Sequence, residues 1–118
     1  MTDRKARIRE YKLTPRTMGV GAVRCATTGK VLVVASRDLR AILNRQQAQL
    51  RLNAHPNRAL QTDWDLLGPD AFEFVALDTL TPKDSPGYDP AEDLRALEDL
   101  WLEKLNAYEP HGYNRPKQ

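Results

Sequence analysis

Hydrophobic positions recur at strand and helix spacing along most of the chain. GVGAVRC at 19–25 and KVLVVAS at 30–36 are strand-like runs. The short turn around Gly29 between them predicts a β-hairpin. Leu39, Ile42, Leu43, Gln46 and Leu50 follow at helical spacing, which predicts an amphipathic helix over about 37–52, with Ser36 as its cap. Leu60, Trp64 and Leu67 stand at i, i+4 and i+7 on a second helix; Pro56 fits its first turn and Gly68 its end. FEFVALD at 72–78 alternates as a third strand, and the three prolines of TPKDSPGYDP mark a loop. Asp89 is placed to cap a last helix, with Pro90 at its first position and Glu92 three residues after the cap. Leu94, Leu97, Trp101, Leu105 and Tyr108 form its apolar stripe. Near the start, Ala6, Ile8 and Tyr11 make a poor stripe over 2–12, a short helix that Pro15 stops.

This order predicts an α/β (α+β) fold, a small antiparallel three-stranded sheet flanked by helices. The 118 residues suit one domain. They divide into a basic arm at 1–17, the domain proper at 18–114 and a polar tail at 115–118. No apolar run approaches the roughly 18 residues of a membrane-spanning helix, so no membrane partner is expected. MTDRKARIREYK lacks the apolar centre of a secretory leader. Cys25 is the single cysteine, so an internal disulfide is impossible and a cytoplasmic, bacterial-type setting is expected.

The net charge of +2 conceals an asymmetry. Residues 1–58 hold 13 Lys/Arg against 3 Asp/Glu, a balance of +10, and residues 59–118 hold 5 against 13, a balance of −8. A basic half of this kind attracts phosphate. Arg4, Lys5, Arg7 and Arg9 in the arm, and Arg37, Arg40, Arg45 and Arg51 along the first core helix, are the candidate nucleic-acid contacts. Two surface halves that neutralise each other in the fold would give the same balance.

Little in the chain advertises chemistry. Two histidines and one cysteine cannot build a zinc cluster, and neither a GxGxxG stretch nor a P-loop is present. Cys25 reads as a small buried thiol. Glu98 has Leu94 one helical turn before it and Trp101 and Leu102 one turn after it. A carboxylate bordering an apolar stripe needs a base, a hydrogen-bond donor or a hard divalent cation, unless it reaches solvent.

These segments together resemble the GIY-YIG nuclease family over about 18–114. The hairpin holds GVG and LVV at the spacing of the family's two tripeptides. SRDLRAILNR resembles the helix after the second tripeptide, and HPNRALQTDWDLLGPDAFEFVALD the middle of the domain. LEDLWLEKLNAYEPHGYN resembles its end, a glutamate three residues before a tryptophan and a closing Gly-Tyr-Asn. The resemblance implies DNA phosphodiester hydrolysis with one divalent metal on the glutamate, a hairpin tyrosine at the nucleophile and an arginine on the phosphate. Glu98, His55 and Asn114 match family positions. Gly21 and Leu32 stand where the tyrosines are expected, Val34 where a glycine is, Ile42 at the arginine and Gln46 at a position often histidine. Isoleucine offers no charge to a phosphoryl transition state, and glycine and leucine cannot act as a phenol.

The expectation is therefore a GIY-YIG-like protein with a degenerate active site, binding nucleic acid, DNA first, with little or no cleavage and no cofactor. The alternative is an active endonuclease using Mg2+ or Mn2+ at Glu98, with Arg45, Arg40, Tyr11 or Tyr113 replacing the lost groups. A third reading is a protein-interaction or homodimerisation module.

Overall fold

The structure, a computed structural model, describes residues 17–116. The helix predicted over 2–12 lies outside them, together with Arg4, Lys5, Arg7, Arg9 and Tyr11. The described residues form β1 (Met18–Cys25), β2 (Val31–Ser36), α1 (Leu39–Arg51), α2 (Arg58–Leu67), a 3-10 turn (Pro69–Ala71), β3 (Phe72–Leu80) and α3 (Ala91–Lys104). The strands make one antiparallel sheet in the order β2-β1-β3.

Strand alternation divides the core between two faces. Val23, Cys25, Leu32 and Phe72 meet Leu50 of α1, Leu60 and Trp64 of α2, and Tyr113 on one face. Leu39, Leu43 and Ala76 extend that side. Val20, Val31 and Val33 meet Leu102 of α3 and Ala107 on the other. The molecule is thus α1 and α2, sheet, then α3.

A bulge adjusts this alternation. Gly21 pairs with Ala76 but Val20 with Asp78, so Leu77 is the extra residue. Leu77 packs in the α3-side core, and Asp78 Oδ2 accepts a hydrogen bond from Trp101 Nε1 at 3.2 Å. A Cβ on Gly19 would lie 2.1 Å from the Asp78 carbonyl oxygen, so the close approach at the bulge admits only glycine.

Several predicted boundaries shift for local reasons. Asp38, not Ser36, caps α1, its carboxylate accepting from the Ala41 N–H at 3.1 Å. Ser36 Oγ accepts from the Asp38 N–H instead, at 2.9 Å, which holds the turn before the helix. Arg37 therefore precedes α1. Asn57 caps α2 by accepting from the Leu60 N–H at 3.0 Å, so Pro56 lies outside the helix. Leu60 and Trp64 are buried, whereas Leu67, at the i+7 position of the same spacing, is 36% exposed at the rim where α2 ends. The carboxylate of Asp89 accepts from the Ala91 N–H at 3.0 Å, but α3 begins at Ala91, and Pro90, predicted as its first residue, stands at the cap position instead of Asp89. That helix ends at Lys104, so Tyr108 lies beyond it and bridges to Asn114 in the closing turn.

Candidate functional site

The family-matched positions of the hairpin and of α1 meet on the sheet face that α1 covers. A Cβ on Gly21 would meet the Val75 carbonyl oxygen at 2.9 Å and the methyls of Leu39 and Leu43 at 3.0 Å. Two leucines thus occupy the space into which a first-tripeptide tyrosine would project. Leu32 is buried in the cluster that contains Leu50, Trp64 and Phe72. Val34 touches both clusters of this face, and half-buried Ile42 packs on the Leu39–Leu43–Ala76 group. The surface is apolar packing from Gly21 to Ile42.

His55 and Gln46 do come together, inside the protein. Both are 8% exposed, and His55 Nε2 is hydrogen-bonded to Gln46 Oε1. His55 Nδ1 accepts from the Asn57 backbone N–H at 3.0 Å. A backbone N–H can only donate, so Nδ1 is bare and Nε2 carries the proton. Burial lowers the imidazole pKa below its usual 6.5 and keeps the ring neutral. Gln61, also buried, accepts from the His55 N–H at 3.0 Å and donates to the Leu50 carbonyl at 3.1 Å. Asn57 Nδ2 donates to the Tyr113 carbonyl at 2.7 Å. With both ring nitrogens engaged, His55 acts here as a joint between α1, α2 and the closing turn.

Asn114 faces the outer edge of the sheet. Its Oδ1 accepts from the Val33 N–H at 2.8 Å and its Nδ2 donates to the Val33 carbonyl at 3.0 Å. Tyr113, proposed as a substitute phenol, is fully buried, and its hydroxyl donates to Asp63 Oδ2 at 2.7 Å. Burial, then the Asp63 hydrogen bond, pushes its pKa far upward. It therefore cannot activate a solvent nucleophile. Glu98 is half-buried on α3, between the buried Leu94 and Leu102. The stripe of α3 covers the sheet face opposite α1, so the α1 positions and the α3 stripe do not share one core. Among the described residues, no group of three or more His, Cys, Asp or Glu could hold a metal ion.

The basic candidates separate. Arg40, Arg45 and Arg51 are exposed on α1. Arg37 donates to Asp89 Oδ1 at 2.6 Å, in an ion pair exposed on both sides. Sequence reading missed Asn57, Gln61, Asp63 and Asp78. The available signal was a glutamine, Gln46, within an apolar stripe, since a buried amide demands partners nearby.

No family model matches the sequence, and no curated protein is significantly similar to it. Solved structures do match. The catalytic domain of homing endonuclease I-TevI superposes with a TM-score of 0.70 at 21% identity, over 85% of this chain and 99% of that one. A point variant of the catalytic domain of intron endonuclease I-TevI gives 0.68 at 20% identity, over 83% and 92%. Strand order, hairpin and flanking helices thus agree with the expected architecture, and the chain has a GIY-YIG-like fold.

Proposed function

We propose that this protein is a nucleic-acid-binding module on a nuclease fold, with little or no cleavage activity. One observation carries the reading: Leu39 and Leu43 fill the space in front of Gly21. With Leu32, Val34 and Ile42 beside them, none of these apolar side chains can take a proton from water or balance charge on a phosphoryl group. Loss of one charge-stabilising group commonly costs about a hundredfold or more in rate, and here the phenols and the arginine are missing together. The exposed arginines of α1 and the basic arm support the binding half of the reading.

The rival reading keeps Glu98 as a metal ligand. A Mg2+ ion is commonly held by one or two carboxylates plus substrate phosphates, so the Glu98 carboxylate fits such a role in kind. Arg45, one turn beyond Ile42, would then serve the phosphate. Incubating the purified full chain with plasmid, linear and branched DNA in Mg2+ or Mn2+ separates the two. The expected result is intact DNA, with retarded complexes at low salt that dissociate as salt rises. Cleavage abolished in a folded Glu98→Ala variant would establish the nuclease instead. Absence of any complex at low salt would remove the binding reading.

A further inference from the structure

The solvent face of α1 has features that packing does not require. Over its 13 residues, LRAILNRQQAQLR, the helix holds three arginines and no acidic residue. Leu39, Leu43, Gln46 and Leu50 are buried, while Arg40, Ala41, Asn44, Arg45, Ala48 and Arg51 are exposed. A surface helix gains support from charges of both signs three or four residues apart, and α1 has none. Among the described residues the ion pairs use Arg24, Arg37 and Lys83, and no arginine of α1 takes part. Arg37 is held by Asp89, outside this face.

At 3.6 residues per turn the exposed side chains fall in a definite order across an arc of about 140°. Arg40 and Arg51 lie on one flank, beside Asn44. Arg45 lies on the other flank. Ala48 and Ala41 lie between. Small residues along the middle let the helix approach another surface closely. The charges on both flanks suit two walls of phosphates on either side of it. Asn44 supplies a paired donor and acceptor, the combination that reads the N6 and N7 edge of adenine.

We propose that the exposed face of α1 is a recognition helix that lies in the major groove of duplex DNA, with Arg40, Arg45 and Arg51 on phosphates and Asn44 on a base edge. The proposal rests on the nucleic-acid-binding reading above and names its surface and partner. The major groove of B-form DNA is about 12 Å wide and admits an α-helix, whereas that of A-form RNA is too deep and narrow. Single strands are held largely by stacking on aromatic rings. The exposed face of α1 has none; Trp64 is buried, and Trp101 belongs to α3.

The test is titration of the full chain with a DNA duplex of about two helical turns, the matching RNA duplex and the single DNA strand, at several salt concentrations. Wild type should favour duplex DNA over duplex RNA by about tenfold or more. The triple variant Arg40→Gln, Arg45→Gln and Arg51→Gln should keep the wild-type melting temperature and bind duplex DNA at least about tenfold more weakly. Its log–log salt slope should be shallower by roughly 2 to 3. Asn44→Ala should leave the slope unchanged and relax sequence preference among selected duplexes, and methylation of guanine N7 in the bound duplex should interfere. Equal or tighter binding of duplex RNA or single strands would overturn the proposal. So would a triple variant within twofold of wild type; if wild type still binds, the arm rather than α1 makes the contact and the wider reading stands. If wild type binds none of the three, both readings fall.

Discussion

A methyl group added at Gly21 would press on the Val75 carbonyl and on two leucine methyls at about the limit of contact. Gly21→Ala should therefore destabilise by about 1–3 kcal/mol, as overpacking does, and Gly21→Tyr by more, neither gaining cleavage. An unchanged denaturant midpoint for Gly21→Ala would show that the space is open. Half-buried Ile42 makes a milder case, because an arginine stem can lie along apolar surface with its head in water. Ile42→Arg should cost no more than about 1–2 kcal/mol by chemical denaturation and produce no nuclease; cleavage in that variant would show that the site had lacked only its cation. His55 makes stability depend on pH. Its folded pKa is lowered, so below about 6.5 the unfolded chain binds the proton that the folded chain refuses. Its contribution is whole above that value and is lost as pH falls toward the folded pKa. Melts between pH 7 and pH 5 should show a smaller fall for His55→Gln than for wild type; parallel curves would mean that the ring titrates normally. The sequence showed which residue types were missing at the matched positions. It could not show that Leu39 and Leu43 had closed over Gly21, because that depends on how deeply α1 settles on the sheet.

Among the elements, the hairpin, the three helices and the third strand were legible because each has a buried side that writes its period into the residues. The ends were less so. Ser36 and Asp38 are both capping types, and the backbone turn between them chose Asp38. The bulge at Leu77 shifts the pairing within FEFVALD, and nothing in those residue types marks it. The start of α2 shows what such a local choice carries. Asn57 caps the helix, donates to the Tyr113 carbonyl and through its own N–H fixes the tautomer of His55. Asn57→Ala should cost about 2–3 kcal/mol, a cap plus a stranded carbonyl. Asn57→Asp should recover the cap but not the bond to Tyr113. Equal melting temperatures for the two variants would show that the cap contributes little.

For the whole molecule, charge separation and layering run together. The arginines of α1 lie on one side of the sheet, while α3, with Glu92, Asp93, Glu98, Asp99 and Glu103, covers the other. An anionic partner is steered toward α1 from a distance, and complex formation should slow as ionic strength rises. Stopped-flow association rates that do not change with salt would count against this. The closing turn has a consequence of a different kind. β2 is an outer strand, and the groups it turns outward would offer a template to any extended chain. Asn114 takes both backbone groups of Val33, and the Tyr113 N–H takes the Val31 carbonyl. One side chain and one backbone N–H thus imitate the strand that would otherwise zip onto this margin. Asn114→Ala should remain folded yet form concentration-dependent oligomers that wild type does not, read by light scattering. If it does, Asn114 acts as a chaperone written into the chain, keeping neighbouring copies from recruiting one another.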